Sequence, residues 1–208
     1  MPASGDPRGG HSVRGAKVNA PNRILLIGDS ISMGYTPHVA VLLAGRADVV
    51  HNPGNAGDTD HTRADLDAWL AELPAEVVHF NCGLHDIKVA RPGGANQVPL
   101  PRYRENLTWI VQRLQATGAG LVWASSTPVI ETRHQAVKDF DRYNRDVESY
   151  NLAAAEIMAE AGVPVDDLHA VAAAADLQSF LTPDGVHFTE AGYGLLASAV
   201  AEALSRVL

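Results

Sequence analysis

The chain has 208 residues, of which 46% are hydrophobic and 19% charged, as in ordinary globular domains and unlike disordered chains. Its net charge of −8 argues against nucleic acid as a partner, because binding phosphates requires clustered Lys and Arg. The single cysteine excludes an internal disulfide and a multi-cysteine metal site. No apolar run approaches the roughly 20 residues that span a bilayer, so we expect no membrane insertion.

The first 20 residues differ in composition from the rest of the chain. They are rich in Gly, Pro, Ser and Arg and show no apolar periodicity, which is typical of a disordered N-terminal tail. They contain no apolar segment of the kind found in a secretory signal peptide, so we expect a cytoplasmic protein. Residues 21–208 are then expected to form a single domain.

Apolar runs alternate with helical patterns from residue 24 onward. The predicted strands cover residues 24–27, 49–50, 77–80, 121–124 and 163–165, and the predicted helices cover residues 34–44, 61–72, 102–117 and 137–161, with a last helix capped by Thr189. Short strands separated by helices indicate βαβ units. The sequence therefore predicts an α/β domain, a five-stranded parallel sheet with helices on both faces.

A Gly-Asp-Ser sequence at residues 28–30 follows the first predicted strand directly. In a parallel sheet, ligands bind beyond the carboxyl ends of the strands, so chemistry is expected at such a position. A serine at a strand-to-helix turn would present its hydroxyl close to N–H groups of the following helix. Taken alone, the tripeptide is also a common helix cap.

Three further motifs occupy comparable positions. An Asp-Gly-Val-His sequence at residues 184–187 precedes the last helix, and a serine nucleophile needs such a base together with an orienting carboxylate. Gly57 follows the second strand, and a Gly-Leu-His-Asp sequence at residues 83–86 follows the third. A glycine in either loop would let a backbone N–H approach an oxyanion closely. Each motif alone is also compatible with an ordinary turn.

In this order the motifs resemble those of the SGNH (GDSL) hydrolase family of esterases and lipases, and the resemblance extends over residues 23–208. It implies a three-layer α/β/α flavodoxin-like catalytic domain that needs no cofactor or metal. It also implies that Ser30 is the nucleophile, His187 the general base and Asp184 its orienting carboxylate. The N–H groups of Ser30 and Gly57 would bind the oxyanion, together with a side chain from the third motif.

The motif at residues 83–86 departs from the family pattern, which has Gly-x-Asn-Asp at this place. In the family, the Asn donates a neutral N–H to the oxyanion. A histidine can donate from either ring nitrogen, depending on its tautomer and charge. We predict that His85 takes the role of this Asn. The alternative is that His85 shapes the pocket and that only backbone N–H groups form the oxyanion hole.

The substrate class is inferred from two segments that follow strands and carry no predicted element, residues 86–101 and 126–136. In and beside them lie the polar side chains of Lys88, Arg91, Arg102, Glu131, Arg133 and His134. A fatty-acid pocket would be more apolar, and the short chain leaves little sequence for a lid. We therefore predict a small-molecule or carbohydrate ester with a short acyl group, such as acetyl, hydrolysed through an acyl-serine. The oligomeric state stays open.

Other activities are compatible with parts of the sequence. Members of the same family include thioesterases and lysophospholipases, and a non-catalytic carbohydrate-binding domain could share the fold. A metal-dependent phosphoesterase is a further alternative, because residues 83–86 are similar to that family's Gly-Asn-His-Asp/Glu element. Asp29, Asp58, Asp60 and His61 could supply ligands, but an Asp-x-His sequence occurs only late, at residues 167–169.

Cys82 is the remaining candidate nucleophile. His79 and His85 lie three residues away on either side. However, Cys82 directly follows a predicted buried strand, where a free cysteine is typically a small core residue.

Overall fold

A five-stranded parallel sheet forms the centre of the molecule. The computed structural model describes residues 22–208, and the predicted tail at residues 1–20 lies outside them. The central strands are β1 (Asn22–Ile27), β2 (Ala47–His51), β3 (Val77–Phe80), β5 (Gly120–Ala124) and β7 (Val165–Asp166), and they lie in the order β2-β1-β3-β5-β7. All four pairings are parallel. Both the five strands and their parallel arrangement agree with the prediction.

Helices cover this sheet. They are α1 (Ser30–Leu42), α2 (Thr59–Glu72), α3 (Leu100–Gln115), α4 (Glu131–Val137), α5 (Asn144–Ala161), α6 (Leu168–Ala173), α7 (Leu177–Phe180) and α8 (Glu190–Ser205). The helix α1 packs against α8, and α3 packs against both α2 and α5. This arrangement confirms the predicted α/β fold with flanking helices. Among residues 22–208, none of the helices combines the length and apolarity that crossing a membrane requires.

Burial on both faces explains why the central strands are continuous apolar runs. The four residues Ile24 to Ile27 of β1 are almost completely shielded from solvent, as are all four residues of β3. A strand in a parallel sheet that helices cover on both faces has no solvated side, so it needs no polar alternation. The carboxyl ends of β1 and β3, adjacent in the sheet, therefore lie side by side at one edge.

The prediction of a long helix over residues 137–161 is wrong at the N-terminal end of that helix. The helix α5 starts at Asn144, and the preceding residues end α4 and form the short strand β6 (Phe140–Asp141). This strand pairs antiparallel with β4 (Val89–Ala90), apart from the central sheet. Phe140 matched the helical period by its apolar character, although its backbone forms strand hydrogen bonds.

The two segments predicted to lack regular structure also contain short elements. The strand β4 lies within residues 86–101, and α4 begins within residues 126–136. Elements of two and seven residues are too short for hydrophobic periodicity to reveal them. The helix α1 begins four residues earlier than predicted, because the Asp29 carboxylate caps it by accepting the N–H of Ile31.

Candidate active site

Ser30 is the first residue of α1 and lies just beyond the end of β1. The N-cap residue is Asp29 and not Ser30, so the Ser30 side chain is not used to cap the helix. The N–H of Ser30 makes no hydrogen bond to any other residue within 22–208. It is one of the unpaired donors of a helix N-terminus and can donate a hydrogen bond to an anionic ligand.

The side chains of Ser30, His187 and Asp184 form a continuous hydrogen-bonded chain. Ser30 Oγ lies 2.8 Å from His187 Nε2, and His187 Nδ1 lies 2.5 Å from Asp184 Oδ2. A carboxylate only accepts hydrogen bonds, so Nδ1 carries the proton and Nε2 accepts from the serine hydroxyl. Ser30 and His187 are 157 positions apart in the chain, and the structure brings them together with Asp184 in the arrangement that a nucleophile, a base and an orienting group require.

Asp184 is held in its ionised form by several donors. Its Oδ1 accepts hydrogen bonds from the N–H groups of Val186 and His187 and from the Thr182 hydroxyl. Burial alone would raise the pKa of the Asp184 carboxyl, but the hydrogen bonds from His187, Val186 and Thr182 outweigh burial and hold it well below its usual range. The carboxylate therefore stays charged at every pH at which the protein would operate.

The turn at residues 184–187 is supported by α4. Gly185 has a φ of +70°, and a Cβ atom there would come within 2.5 Å of the Ile130 carbonyl oxygen. The Gly185 carbonyl accepts the Ile130 N–H at 2.8 Å. Arg133 on α4 reaches further along the same segment, donating to the carbonyl oxygens of Leu181 and Gln178. The position of His187 therefore depends on α4.

Gly57, a predicted oxyanion donor, has its N–H occupied. The N–H donates to Asn55 Oδ1 at 2.8 Å. Gly57 has a φ of +66°, and a Cβ atom would lie 2.9 Å from His61 Nδ1, so the loop requires glycine. An oxyanion can accept this N–H only after it displaces the Asn55 carboxamide. Sequence reasoning did not identify Asn55.

His85 lies in the same pocket as Ser30 and His187. Its Nε2 is 3.8 Å from Asp29 Oδ2, too far for a hydrogen bond. Burial lowers the pKa of His85 to about 4, although the nearby Asp29 carboxylate opposes this effect. His85 is therefore a neutral imidazole near pH 7, which has one N–H to donate.

The pocket beside Ser30 has a volume of about 280 Å³. Its walls combine the catalytic side chains with several cations and a few apolar groups: Asp29, Ser30, Asn55, Leu84, His85, Lys88, Lys138, Phe140, Arg142, Val186 and His187. Sequence reasoning missed Lys138, Phe140 and Arg142, because residues 138–142 were included in the predicted long helix. An Arg directly after a short strand carries no sequence signal of its own.

Most of the polar side chains expected around the substrate serve the fold instead. Of the six, only Lys88 lines the pocket. The other five are accounted for by structural contacts or burial: Arg91 binds Asp141, Arg102 binds Asp60, Glu131 accepts the N–H of Asn144, Arg133 binds Leu181 and Gln178, and His134 is fully buried. Arg91 and Arg102 stay exposed in their ion pairs and His134 is buried, a distinction that hydrophobic periodicity does not show.

Two alternative chemistries find little support in the geometry. Cys82 is only 3% exposed, and burial raises the pKa of its thiol well above the usual value, so it is a core thiol and not a thiolate. Asp58 caps α2, and Asp60 binds Arg102 and Asn106. Within residues 22–208, no three His, Cys, Asp or Glu side chains converge closely enough to hold a metal ion.

The sheet order and the Ser–His–Asp chain define the class of α/β/α hydrolases with a serine at the end of the first strand. The chain belongs to the GDSL-like lipase/acylhydrolase family, whose model matches residues 26–195. It is thus an enzyme of the esterase and lipase type. A comparison with curated protein sequences finds no match.

Solved structures share the fold at low sequence identity. An acetyl xylan esterase, AlAXEase, is 15% identical with a TM-score of 0.72, covering 88% of this chain and 99% of that chain. A lipase/acylhydrolase from Enterococcus faecalis is 18% identical with a TM-score of 0.72, covering 90% and 97%. An acetylxylan esterase from Geobacillus stearothermophilus is 19% identical with a TM-score of 0.68, covering 87% and 93%.

Proposed function

We propose that the protein is a serine esterase that removes short acyl groups, acetyl above all, from small-molecule or carbohydrate esters. The observation that carries this proposal is the hydrogen-bonded chain from Ser30 Oγ through His187 to Asp184. It supplies a nucleophile, a base that can accept its proton, and a carboxylate that stabilises the resulting imidazolium.

The reaction proceeds in two steps on Ser30. As the hydroxyl oxygen attacks the ester carbonyl carbon, His187 Nε2 takes the hydroxyl proton. The tetrahedral intermediate collapses, and the alcohol leaves with that proton. A water molecule then attacks the acyl-serine and gives a proton to the same nitrogen; the second tetrahedral intermediate collapses to the free acid as His187 returns that proton to Ser30 Oγ.

The oxyanion of each intermediate would be held by three donors of different kinds. The Ser30 N–H makes no other hydrogen bond within the described residues and is available at once. The Gly57 N–H becomes available when Asn55 Oδ1 gives way. His85 offers one neutral ring N–H from the pocket wall. The Ser30 N–H would therefore stabilise the developing charge without reorganisation, whereas the Gly57 N–H requires Asn55 to move first.

The size and composition of the pocket support a short acyl group. Its volume of about 280 Å³ is at the lower end for ligand sites. Only three of its walls are apolar side chains, Leu84, Phe140 and Val186. Two of the structural neighbours carry the name acetyl xylan esterase, which favours acetyl esters of carbohydrates as the first substrates to test.

Replacing Ser30 with Ala tests the proposal. The wild-type protein should release one equivalent of 4-nitrophenol in a burst from 4-nitrophenyl acetate, and Ser30→Ala should release none, because no acyl-serine forms. The melting temperature should hardly change. The matched control is Ser198→Ala, on the exposed side of α8, which should retain the burst.

A burst that survives in Ser30→Ala would contradict the assignment of the nucleophile. The same assay with 4-nitrophenyl butyrate and decanoate tests the acyl group. We expect kcat/KM to fall as the acyl chain lengthens, and a preference for decanoate would contradict the short-acyl proposal.

A further inference from the structure

Three cationic side chains line the pocket that contains Ser30 and His187. They are Lys88, Lys138 and Arg142. Residues 22–208 contain only two lysines, Lys88 and Lys138, and both line this pocket. The whole chain has a net charge of −8, so this positive cluster is opposite in sign to the overall charge. Among residues 22–208, Asp29 is the only carboxylate in the pocket walls.

None of the three cations has an acidic partner within the described part of the chain. Eight arginines do form ion pairs with carboxylates there: Arg23, Arg63, Arg91, Arg102, Arg104, Arg113, Arg145 and Arg206. The carboxylate of Asp29 is buried and already accepts the N–H of Ile31. Within residues 22–208, no carboxylate therefore lies at ion-pair distance from the three cations, and the carboxylates of Asp29, Asp58, Asp86 and Asp184 offset their charge only from further away.

Arg142 is the most constrained of the three. It is only 6% exposed, and its guanidinium carbon lies 5.0 Å from the centre of the Phe140 ring. Its one hydrogen bond within residues 22–208 runs from Nε to the Leu84 carbonyl oxygen. Within the described part of the chain, the two terminal nitrogen atoms, Nη1 and Nη2, make no hydrogen bond. Burial lowers the pKa of Arg142 to about 10, so the group is still charged at neutral pH.

Lys88 lies next to Arg142 because of the β4–β6 pairing. Val89 pairs with Asp141 in an antiparallel register, so Lys88 and Arg142 flank the same end of this two-stranded ribbon. Lys88 Nζ is 5.4 Å from the same Phe140 ring. Burial, and then repulsion from Arg142, lower the pKa of Lys88. A bound anion in direct contact with both side chains would offset the repulsion between these two like charges.

We propose that the substrate carries an anionic group, a carboxylate or a phosphate, which Arg142, Lys88 and Lys138 bind while the ester carbonyl lies at Ser30. This inference rests on the proposed esterase function and narrows its substrate class. The planar guanidinium fork can form two parallel hydrogen bonds to a carboxylate or a phosphate, and the lysines add charge. Acetylated hydroxy acids and acetylated acidic sugars have this chemistry.

Three acetate esters that differ in one substituent test the inference. They are 4-acetoxybenzoate, 4-acetoxyphenyl phosphate and the neutral 4-acetoxybenzamide. Each kcat/KM is divided by the rate constant of alkaline hydrolysis of the same ester, which removes differences in leaving group. We expect at least one anionic ester to exceed the neutral ester about 10- to 100-fold, since hydrogen bonds to charged groups contribute on that scale. The better of the two identifies the anion.

Variants then locate the preference. Arg142→Gln should reduce the ratio of anionic to neutral kcat/KM towards one, and Lys88→Gln and Lys138→Gln should each reduce it in part. Because Arg142 is buried, the two lysine variants decide the matter if Arg142→Gln fails to fold. Arg104→Gln, which removes an exposed arginine paired with Glu156, should leave the ratio unchanged.

The failure of this inference differs from the failure of the proposed function. If the neutral ester gives a burst and the ratio stays near one, the anion site is wrong and the esterase stands. An equal loss of the ratio in Arg104→Gln would likewise overturn the site, because net charge alone would explain it. If the folded protein hydrolyses none of the three esters, the esterase proposal itself fails.

Discussion

Asn55 occupies one of the three proposed oxyanion donors. Its carboxamide oxygen occupies the Gly57 N–H, whereas the Ser30 N–H makes no hydrogen bond within residues 22–208. Asn55 also lines the pocket, so its side chain has room to turn away from Gly57. Exchanging one hydrogen bond for another is nearly neutral in free energy, and the charge on an oxyanion favours the exchange. We therefore expect the reaction intermediate itself to complete the proposed oxyanion hole.

The role of His85 can be measured directly. We expect His85→Ala to lower kcat for 4-nitrophenyl acetate about 100- to 1000-fold, which is the usual effect of removing one oxyanion donor. His85→Asn should recover much of the rate, because a carboxamide also donates a neutral N–H.

Circular dichroism should show that both His85 variants are folded. Equal kcat values for His85→Ala and the wild-type protein would contradict the donor role and leave His85 as a residue that shapes the pocket. Since the pKa of His85 is about 4, its titration does not contribute to any loss of activity between pH 5 and pH 7.

At the scale of elements, the catalytic turn at residues 184–187 depends on its contact with α4. Gly185→Ala would place a methyl group 2.5 Å from the Ile130 carbonyl oxygen and 2.9 Å from Arg133 Cβ, so the turn or α4 must shift. We expect kcat to fall at least about tenfold, because His187 would move relative to Ser30 and small misplacements reduce rates strongly.

Gly162→Ala is the matched control for Gly185→Ala. Gly162 ends α5 with a φ of +68°, and a Cβ atom there meets no atom within 4 Å. Both variants force alanine into a left-handed conformation, which destabilises the fold by about 1 kcal/mol. Thermal unfolding should show this loss in both, and only Gly185→Ala should lose activity. Equal kcat in the two variants would mean that α4 does not position the turn.

The elements that sequence reasoning predicted well are those with strong local signals. The sheet strands are apolar runs buried on both faces, and the Ser30 and His187 motifs each lie within a few residues of a helix start. The ribbon of β4 and β6 has two residues a strand and depends on pairing between segments 50 residues apart, so nothing local indicates it. The importance of Arg142 follows from unused donors and from contacts with Phe140, which only the packed chain reveals.

At the scale of the whole molecule, Asp86 links the end of β3 to the start of α2. Its Oδ1 accepts the N–H and the hydroxyl of Thr59, while Oδ2 is buried without a hydrogen-bond partner within residues 22–208. Burial raises the pKa of the Asp86 carboxyl to about 7, although the hydrogen bonds from Thr59 oppose this. The folded protein therefore holds a proton here that the unfolded chain has already released.

This proton makes global stability depend on pH. Between about pH 4 and pH 7 the folded state binds more protons at Asp86 than the unfolded state, so its contribution to the free energy of unfolding falls as pH rises through that window. Asp86→Asn keeps an acceptor for Thr59 and cannot ionise. We expect the stability of the wild-type protein relative to Asp86→Asn to fall by a few kcal/mol across this range, measured by urea denaturation.

The control for Asp86→Asn is a substitution at an aspartate that is not buried. Asp139 is exposed and makes no side-chain hydrogen bond within the described residues, so Asp139→Asn is the matched control for replacing a carboxylate with a carboxamide. A difference between the wild-type protein and Asp86→Asn that does not change with pH would show that Asp86 is already ionised in the folded state.

The proposed anion site lies on the ribbon formed by β4 and β6, apart from the elements that carry Ser30 and His187. Lys88, Phe140 and Arg142 belong to it or border it, whereas Ser30 and His187 come from the end of β1 and from the turn before α8. The ribbon shares no strand with the central sheet. Exchanging the few residues of this ribbon could redirect the enzyme to esters of another charge, while Ser30 and His187 keep their places. The ribbon is therefore a natural position for evolutionary divergence and for engineering.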